Sequence, residues 1–300
     1  RRVARASDPA FRFSTPNPAI TPDRLRRVLE RSVRDATPEG RFAVALSGGV
    51  DSTLVAALAR GDRIAFLRQG KLWTMKPDGS ELRLAAGDGA TVLDYDWSPN
   101  GKWLVYSLMD GHFASELFIV PVDGSDRPRN ITRYATYNGD VTWSRTGQRI
   151  AFISQRRGQS SPYVLSLQKP GAPGGNDEID WEDIHLRAVR AAGITAETAA
   201  ISPNGLHVAF RHKGTGDDLW LATSSGTTLI RLTTGDQAPR QITWSRRTPG
   251  LIYFLNGQGE LCWFRAAGVA GLPPALGAAS ALPAEPQRVR FEAAMTIRRE

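Results

Sequence analysis

The chain has 300 residues, 41% of them apolar and 23% charged, a balance that suits one large or two modest globular domains and excludes a disordered or collagen-like polymer. No apolar run approaches the roughly 18–20 residues that a membrane span needs, so no span is expected. A single cysteine, Cys262, excludes an internal disulfide and a cysteine-built metal cluster; it points to a reducing compartment, and the cytoplasm is the expected location.

The net charge of +8 is unevenly placed, with eleven arginines against six acids in residues 1–60. No aromatic residues interleave with these arginines, so they read as a solvated helix face and no nucleic-acid partner is expected. The chain opens on Arg1 rather than Met, which leads us to expect a fragment, a processed form or a fusion.

In chain order the first element is a helix. Thr21 is its cap, Pro22 its first residue, Asp23 an acid in the first turn, and Leu25, Val28, Leu29 and Val33 recur at helical spacing until Pro38-Glu39-Gly40. Phe42–Leu46 is a short apolar run suited to a buried strand, and Thr53–Ala59 reads as a helix. Between them stands Ser47-Gly48-Gly49-Val50-Asp51-Ser52. Glycines there let the backbone approach an anion closely, and the helix N-terminus that follows favours negative charge. Asp51 is a candidate Mg²⁺ ligand beside phosphate oxygens. The spacing is not that of a Walker loop.

This hexapeptide resembles the pyrophosphate loop of the N-type ATP pyrophosphatases. With residues 21–60 around it, it is most similar to the synthetase domain of asparagine synthetase and β-lactam synthetase, enzymes that adenylate a carboxylate with ATP. The resemblance implies that Ser47, Gly48, Gly49, Asp51 and Ser52 contact pyrophosphate or its magnesium, so ATP and Mg²⁺ are the cofactors to expect at this loop. It stops near Arg60, short of the family's remaining sheet, adenine pocket and second-substrate site. No N-terminal cysteine is present for the family's glutaminase half. A truncated remnant is therefore expected over 1–60.

From residue 61 the periodicity turns to two and the sequence repeats itself. Asp96-Trp97-Ser98-Pro99-Asn100-Gly101, Thr142-Trp143-Ser144-Arg145-Thr146-Gly147, Ala200-Ile201-Ser202-Pro203-Asn204-Gly205 and Thr243-Trp244-Ser245 each lead into a strand such as Ile150-Ala151-Phe152 or Val208-Ala209-Phe210. The four serines stand 46, 58 and 43 residues apart, and a fifth copy without its head begins at Gly61. Each copy continues into a strand with an aromatic, as at Leu72-Trp73, Leu117-Phe118, Tyr163-Val164, Leu219-Trp220 and Cys262-Trp263. Units of about 40–45 residues with four short strands are blade-sized, and one such sheet cannot bury both faces without a neighbour.

The 58-residue interval is lengthened by a Gly/Pro-rich stretch, Lys169–Asn176, and by Asp177–His185, acidic and aromatic. This insert reads as a loop packed on one face or as a lip toward a ligand or domain. A linker, Ala266–Pro286, precedes a strand-like run over Arg288–Ile297 that is expected to complete the last unit. His207 and His212 fall on opposite faces of one strand, His112 and His185 are isolated, and no zinc site or Ser–His–Asp arrangement follows from them. Cys262 reads as a small core residue.

The repeat resembles the WD40-like blades of TolB and of tricorn-type proteases. The tricorn likeness rests on Ile179–Arg187, on Leu232-Thr233-Thr234-Gly235 and on the ending Phe291–Glu300. What it implies is a propeller that gates or filters peptides on their way to a protease chamber. The family's serine nucleophile and histidine belong to later domains, so no catalytic residue is assigned here. The five units are fewer than the family's propellers carry, and an open ring is one expectation. The fold class expected is all-β, a propeller of about five four-stranded blades over 61–300 behind the α/β segment of 1–60. The function expected is a non-catalytic module that binds a peptide substrate or protease domains. The alternatives are an ATP-dependent amidotransferase or amide ligase acting at Ser47–Ser52, and a TolB-like envelope scaffold.

Overall fold

The computed structural model describes residues 63–76, 78–169, 178–214, 216–245, 248–266 and 284–289, and the backbone of 44–46. The helices expected after Thr21 and over 53–59, the loop 47–52 and the runs at 170–177, 267–283 and 290–300 lie outside the described residues.

Within them the chain forms five four-stranded sheets, each with its strands in sequence order. The first holds β1 (Val44–Leu46), β2 (Ile64–Arg68), β3 (Lys71–Met75) and β4 (Arg83–Ala86). The second holds β5 (Thr91–Trp97), β6 (Trp103–Met109), β7 (Ser115–Pro121) and β8 (Arg129–Asn130). The third holds β9 (Asn138–Trp143), β10 (Arg149–Arg156), β11 (Gln159–Ser166) and β12 (Ala188–Arg190). The fourth holds β13 (Ala196–Ile201), β14 (His207–His212), β15 (Asp218–Thr223) and β16 (Leu229–Arg231), and the fifth β17 (Arg240–Trp244), β18 (Leu251–Leu255), β19 (Leu261–Arg265) and β20 (Gln287–Arg288). Neighbouring strands pair antiparallel, except that β1 runs parallel to β2, Val44 opposite Ile64. The copy that lacks its head thus takes its first strand from upstream of residue 47. A parallel pair needs a long crossover, and residues 47–63 separate the two strands.

The alternation of side chains explains the stacking. In β10, Ile150 and Phe152 face the second sheet, joining Val105, Leu117 and Ile119. Ala151 and Ile153 face the fourth, joining Val208 and Phe210. The pattern repeats on either side: Ala65 and Leu72 meet Leu104 and Tyr106, and Ala209, Leu219 and Leu221 meet Ile252, Phe254, Cys262 and Phe264. Cys262 is buried, as its surroundings require.

In the second to fifth units the repeated serine follows the first strand and caps the turn after it. Ser98 Oγ accepts from the Trp103 amide at 2.9 Å and donates to Asn100 Oδ1 at 2.6 Å. Ser202 repeats this with the His207 amide at 3.0 Å and Asn204 at 2.7 Å, and Ser144 takes the Arg149 amide at 3.0 Å. Gly101 and Gly205 close these turns at φ 69° and 73°, where a side chain would be strained.

The described part of the insert, residues 178–185, is packed, as the first of its two readings expects. Ile179 and Trp181 lie against the core between the second and third sheets, and Ile184 is part of it. The Trp181 ring stands edge-on to Trp103, centroids 5.7 Å apart, with the Arg129 guanidinium 4.6 Å over it. Lys169 pairs with Glu182, and Arg187 donates to the Asp180 carbonyl.

Candidate functional site

The first strands β1, β5, β9, β13 and β17 follow one another along the inner edge of the stack. Where β5, β9 and β13 meet, acceptor side chains of one strand reach the amides of the next. The Val141 amide donates to Asp94 Oδ2 at 2.9 Å and the Trp143 amide to Asp96 Oδ2 at 2.7 Å. One sheet further, Ala199 donates to Asp140 Oδ2 at 3.2 Å and Ile201 to Thr142 Oγ1 at 3.1 Å. Asp94 and Asp140 stand four residues before Ser98 and Ser144, and Asp96 and Thr142 two before them, so the clasp is part of the repeat.

Burial pushes the Asp94 carboxyl up to about 7, reinforced by the like charge of Asp140 and opposed by the Val141 amide. Burial likewise raises Asp140 to about 6 against the hydrogen bonds from Thr198 and Ala199. Tyr137 lies over this pair, its phenol pushed up to about 12 by burial and by both carboxylates. A Cβ on Gly139 would come within 2.7 Å of the Tyr137 hydroxyl, so the ring would have to shift to admit one. Asp140 has φ 58°, a left-handed conformation that Asp and Asn tolerate better than most residues.

Buried Asn138 anchors the loop that carries Tyr137. Its Nδ2 donates to the carbonyls of Ser115 at 2.7 Å and Tyr134 at 2.8 Å. Its Oδ1 accepts from Ser154 at 2.7 Å, and its carbonyl from Ser107 and Ser115. Arg156 lies between two rings, 4.6 Å from Tyr134 and 4.4 Å from Tyr163. Tyr134 and Tyr137 are 38% and 40% exposed, so the cluster offers aromatic surface to solvent beside the acid pair. That chemistry suits the binding of a polar chain.

Among the described residues no group of three or more His, Cys, Asp or Glu could hold a metal ion. His212 bonds the Thr195 carbonyl through Nδ1 at 2.7 Å and stands edge-on to Trp220, while His207 is buried. The loop residues Ser47, Gly48, Gly49, Asp51 and Ser52 lie outside the described residues; the strand that leads into them, β1, is seated in the first sheet. Sequence reasoning missed Asp94, Asp140 and Tyr137. The available signal was an aspartate at the same offset before two consecutive repeat serines.

Comparison with known proteins places this architecture. A putative TolB from Agrobacterium tumefaciens superposes with a TM-score of 0.54 at 15% identity, over 69% of this chain and 74% of that one. The tricorn protease structure superposes with a TM-score of 0.50 at 10% identity, over 75% of this chain and 25% of its own. The fold is a β-propeller. Its sheets are therefore blades, and the acid clasp joins their inner strands. In sequence, the chain is similar to a tricorn protease homolog of Saccharolobus solfataricus, 21% identical over 129 residues. That match covers 39% of this chain and 12% of the homolog, so the chain spans a small part of that protein's length. A family model for asparagine synthase matches residues 24–72, which take in β1, the loop 47–52 and β2.

Proposed function

We propose that this chain acts as a non-catalytic propeller module that binds an extended peptide or a neighbouring protease domain at the inner edge of its blades. The observation that carries the reading is the cluster at the junction of the second and third blades: exposed Tyr134 and Tyr137, Arg156 held between rings, and the acid pair beside them. Side-chain donors and acceptors on rigid strands suit a peptide backbone, and aromatic surface adds contact area at low entropic cost. Likeness to tricorn-type and TolB propellers supports a protein or peptide as the partner, and the single cysteine supports a cytoplasmic location. The test is titration of the chain with fluorescent decapeptide mixtures followed by anisotropy. Saturable binding that Tyr137→Ala weakens by about tenfold, a loss of about 1.4 kcal/mol, is expected; no saturable binding by any mixture overturns the reading.

A second reading rests on the asparagine synthase match at residues 24–72. The loop Ser47–Ser52 would hold the pyrophosphate of ATP, with Asp51 on its magnesium. Calorimetric titration with Mg-ATP decides it: saturable heat that Asp51→Ala abolishes supports a working nucleotide site, and flat heats remove it.

A further inference from the structure

Asp94 and Asp140 sit at equivalent places in successive inner strands, each between two sheets and each bonded to an amide of the following blade. The groups set against Asp94 are Asp140 and Tyr137 from β9 and the loop before it, with the Ser107 and Val141 amides. Those set against Asp140 are Asp94 and Tyr137, with Thr198 and the Ala199 amide from β13. Two carboxylates so placed repel when both are ionised. Asp94 Oδ1 is buried without a hydrogen-bond partner among the described residues, so an ionised Asp94 holds an uncompensated charge there, while a protonated one still accepts the Val141 amide on Oδ2. We propose that this junction is an acid-tightened clasp: Asp94 and Asp140 take up protons as the medium becomes mildly acidic, drawing the second, third and fourth blades and the Tyr137 loop together, and lose them toward alkaline pH, loosening that joint.

The sign follows from linkage. Both carboxyls stand above their ordinary value of 3.8, at about 7 and about 6. Between those limits the folded chain binds more protons than the unfolded one, so stability falls as pH rises through the window. Asp217 runs the other way. Arg211 holds it below its ordinary value, so its contribution is present above that value and is lost only as pH falls below it.

Carbon-detected NMR of the side-chain carboxyls tests the proposal, together with amide exchange and thermal melts of the wild type and of the Asp94→Asn/Asp140→Asn double variant. The two carboxyls should titrate well above the remaining aspartates. The Val141 amide, corrected for intrinsic base catalysis, should exchange about tenfold faster at about pH 8 than at about pH 5, as expected for a joint weakened by one pKa unit's worth of free energy. The wild-type melting temperature should fall over the same interval. The double variant, which keeps the acceptor oxygens and cannot titrate, should melt at one temperature throughout. Asp94 and Asp140 titrating near 3.8, or a double variant that keeps the wild-type slope, overturns the proposal. If the variant does not fold, the wild-type titration decides.

Discussion

The junction between the second and third blades and the far face of the fifth blade come from the same repeat and meet different neighbours. At the junction Val105, Leu117, Ile119, Ile150 and Phe152 are fully buried, Trp181 covers one margin, and Asp94 and Asp96 bond across the inner edge. On the fifth blade Leu251, Tyr253, Trp263, Arg265, Arg288 and Val289 line an open depression of about 460 Å³. Tyr253 precedes Phe254 as Val105, Ala151 and Ala209 precede Tyr106, Phe152 and Phe210. The three smaller residues are buried and the tyrosine is half-exposed. A blade's face is thus kept dry by the copy stacked on it, not by anything within the blade, as expected for a quasi-one-dimensional stack. Equivalent residues should contribute very unequally to stability.

The largest test is Phe152→Ala. The ring is fully buried, stacks on Tyr163 with centroids 5.9 Å apart and faces Leu117 and Ile119. Its removal leaves a cavity between two blades and should cost about 3–5 kcal/mol. A fall in the urea midpoint at unchanged slope is the measurement, and a cost under about 1 kcal/mol, the scale of an ordinary surface change, would deny the packed junction. Trp181→Ala comes next. It strips the edge contact with Trp103 and the Arg129 cation–π contact while leaving both blades whole, so about 2 kcal/mol is expected. Limited proteolysis should then cut first within the insert. Asn204→Ala is smaller. It removes the acceptor that holds the turn between β13 and β14, where Oδ1 bonds the Ser202 hydroxyl and the Leu206 amide. About 1 kcal/mol is expected, with no change in blade packing; a much larger effect would mean that the turn transmits to the neighbouring blade.

The parts of the molecule differ in how far they could be read from sequence. The blades were legible because each must present an apolar residue to both sides, and that demand writes period two into every copy, with a Trp-Ser head in three of them. The heads at Trp97, Trp143, Ile201 and Trp244 do occupy equivalent strands, β5, β9, β13 and β17. The role of the serine was not legible, since a hydroxyl that caps a turn has the same letter as one that packs. The parallel seat of β1 was hidden because its apolar run suits any buried strand, and pairing direction is not encoded in composition. Asp94 and Asp140 were hidden for a different reason. On an inner strand an acid reads as an exposed residue, and only the arrival of the next blade's amide turns it into an acceptor. The Trp181 contact likewise needs a partner, Trp103, from a different unit.

Trp263→Ala is the smallest expected effect and the one that sharpens the contrast most. The residue is as large as Phe152 and sits in a central strand of its sheet, paired with Tyr253 on one side and Gln287 on the other. Sequence alone would rank the two substitutions together. Trp263, however, is half-buried on the face that lines the open depression. Its removal strips part of one wall of an already open space and creates no closed cavity. The loss is then the transfer of partly covered apolar surface, about 1 kcal/mol or less, against several for Phe152. A cost equal to that of Phe152→Ala would mean that something covers this face in solution. Iodide and acrylamide quenching of the single-tryptophan signal lost in the variant would then show Trp263 shielded rather than open, and the idea that only interior faces are dry would fall.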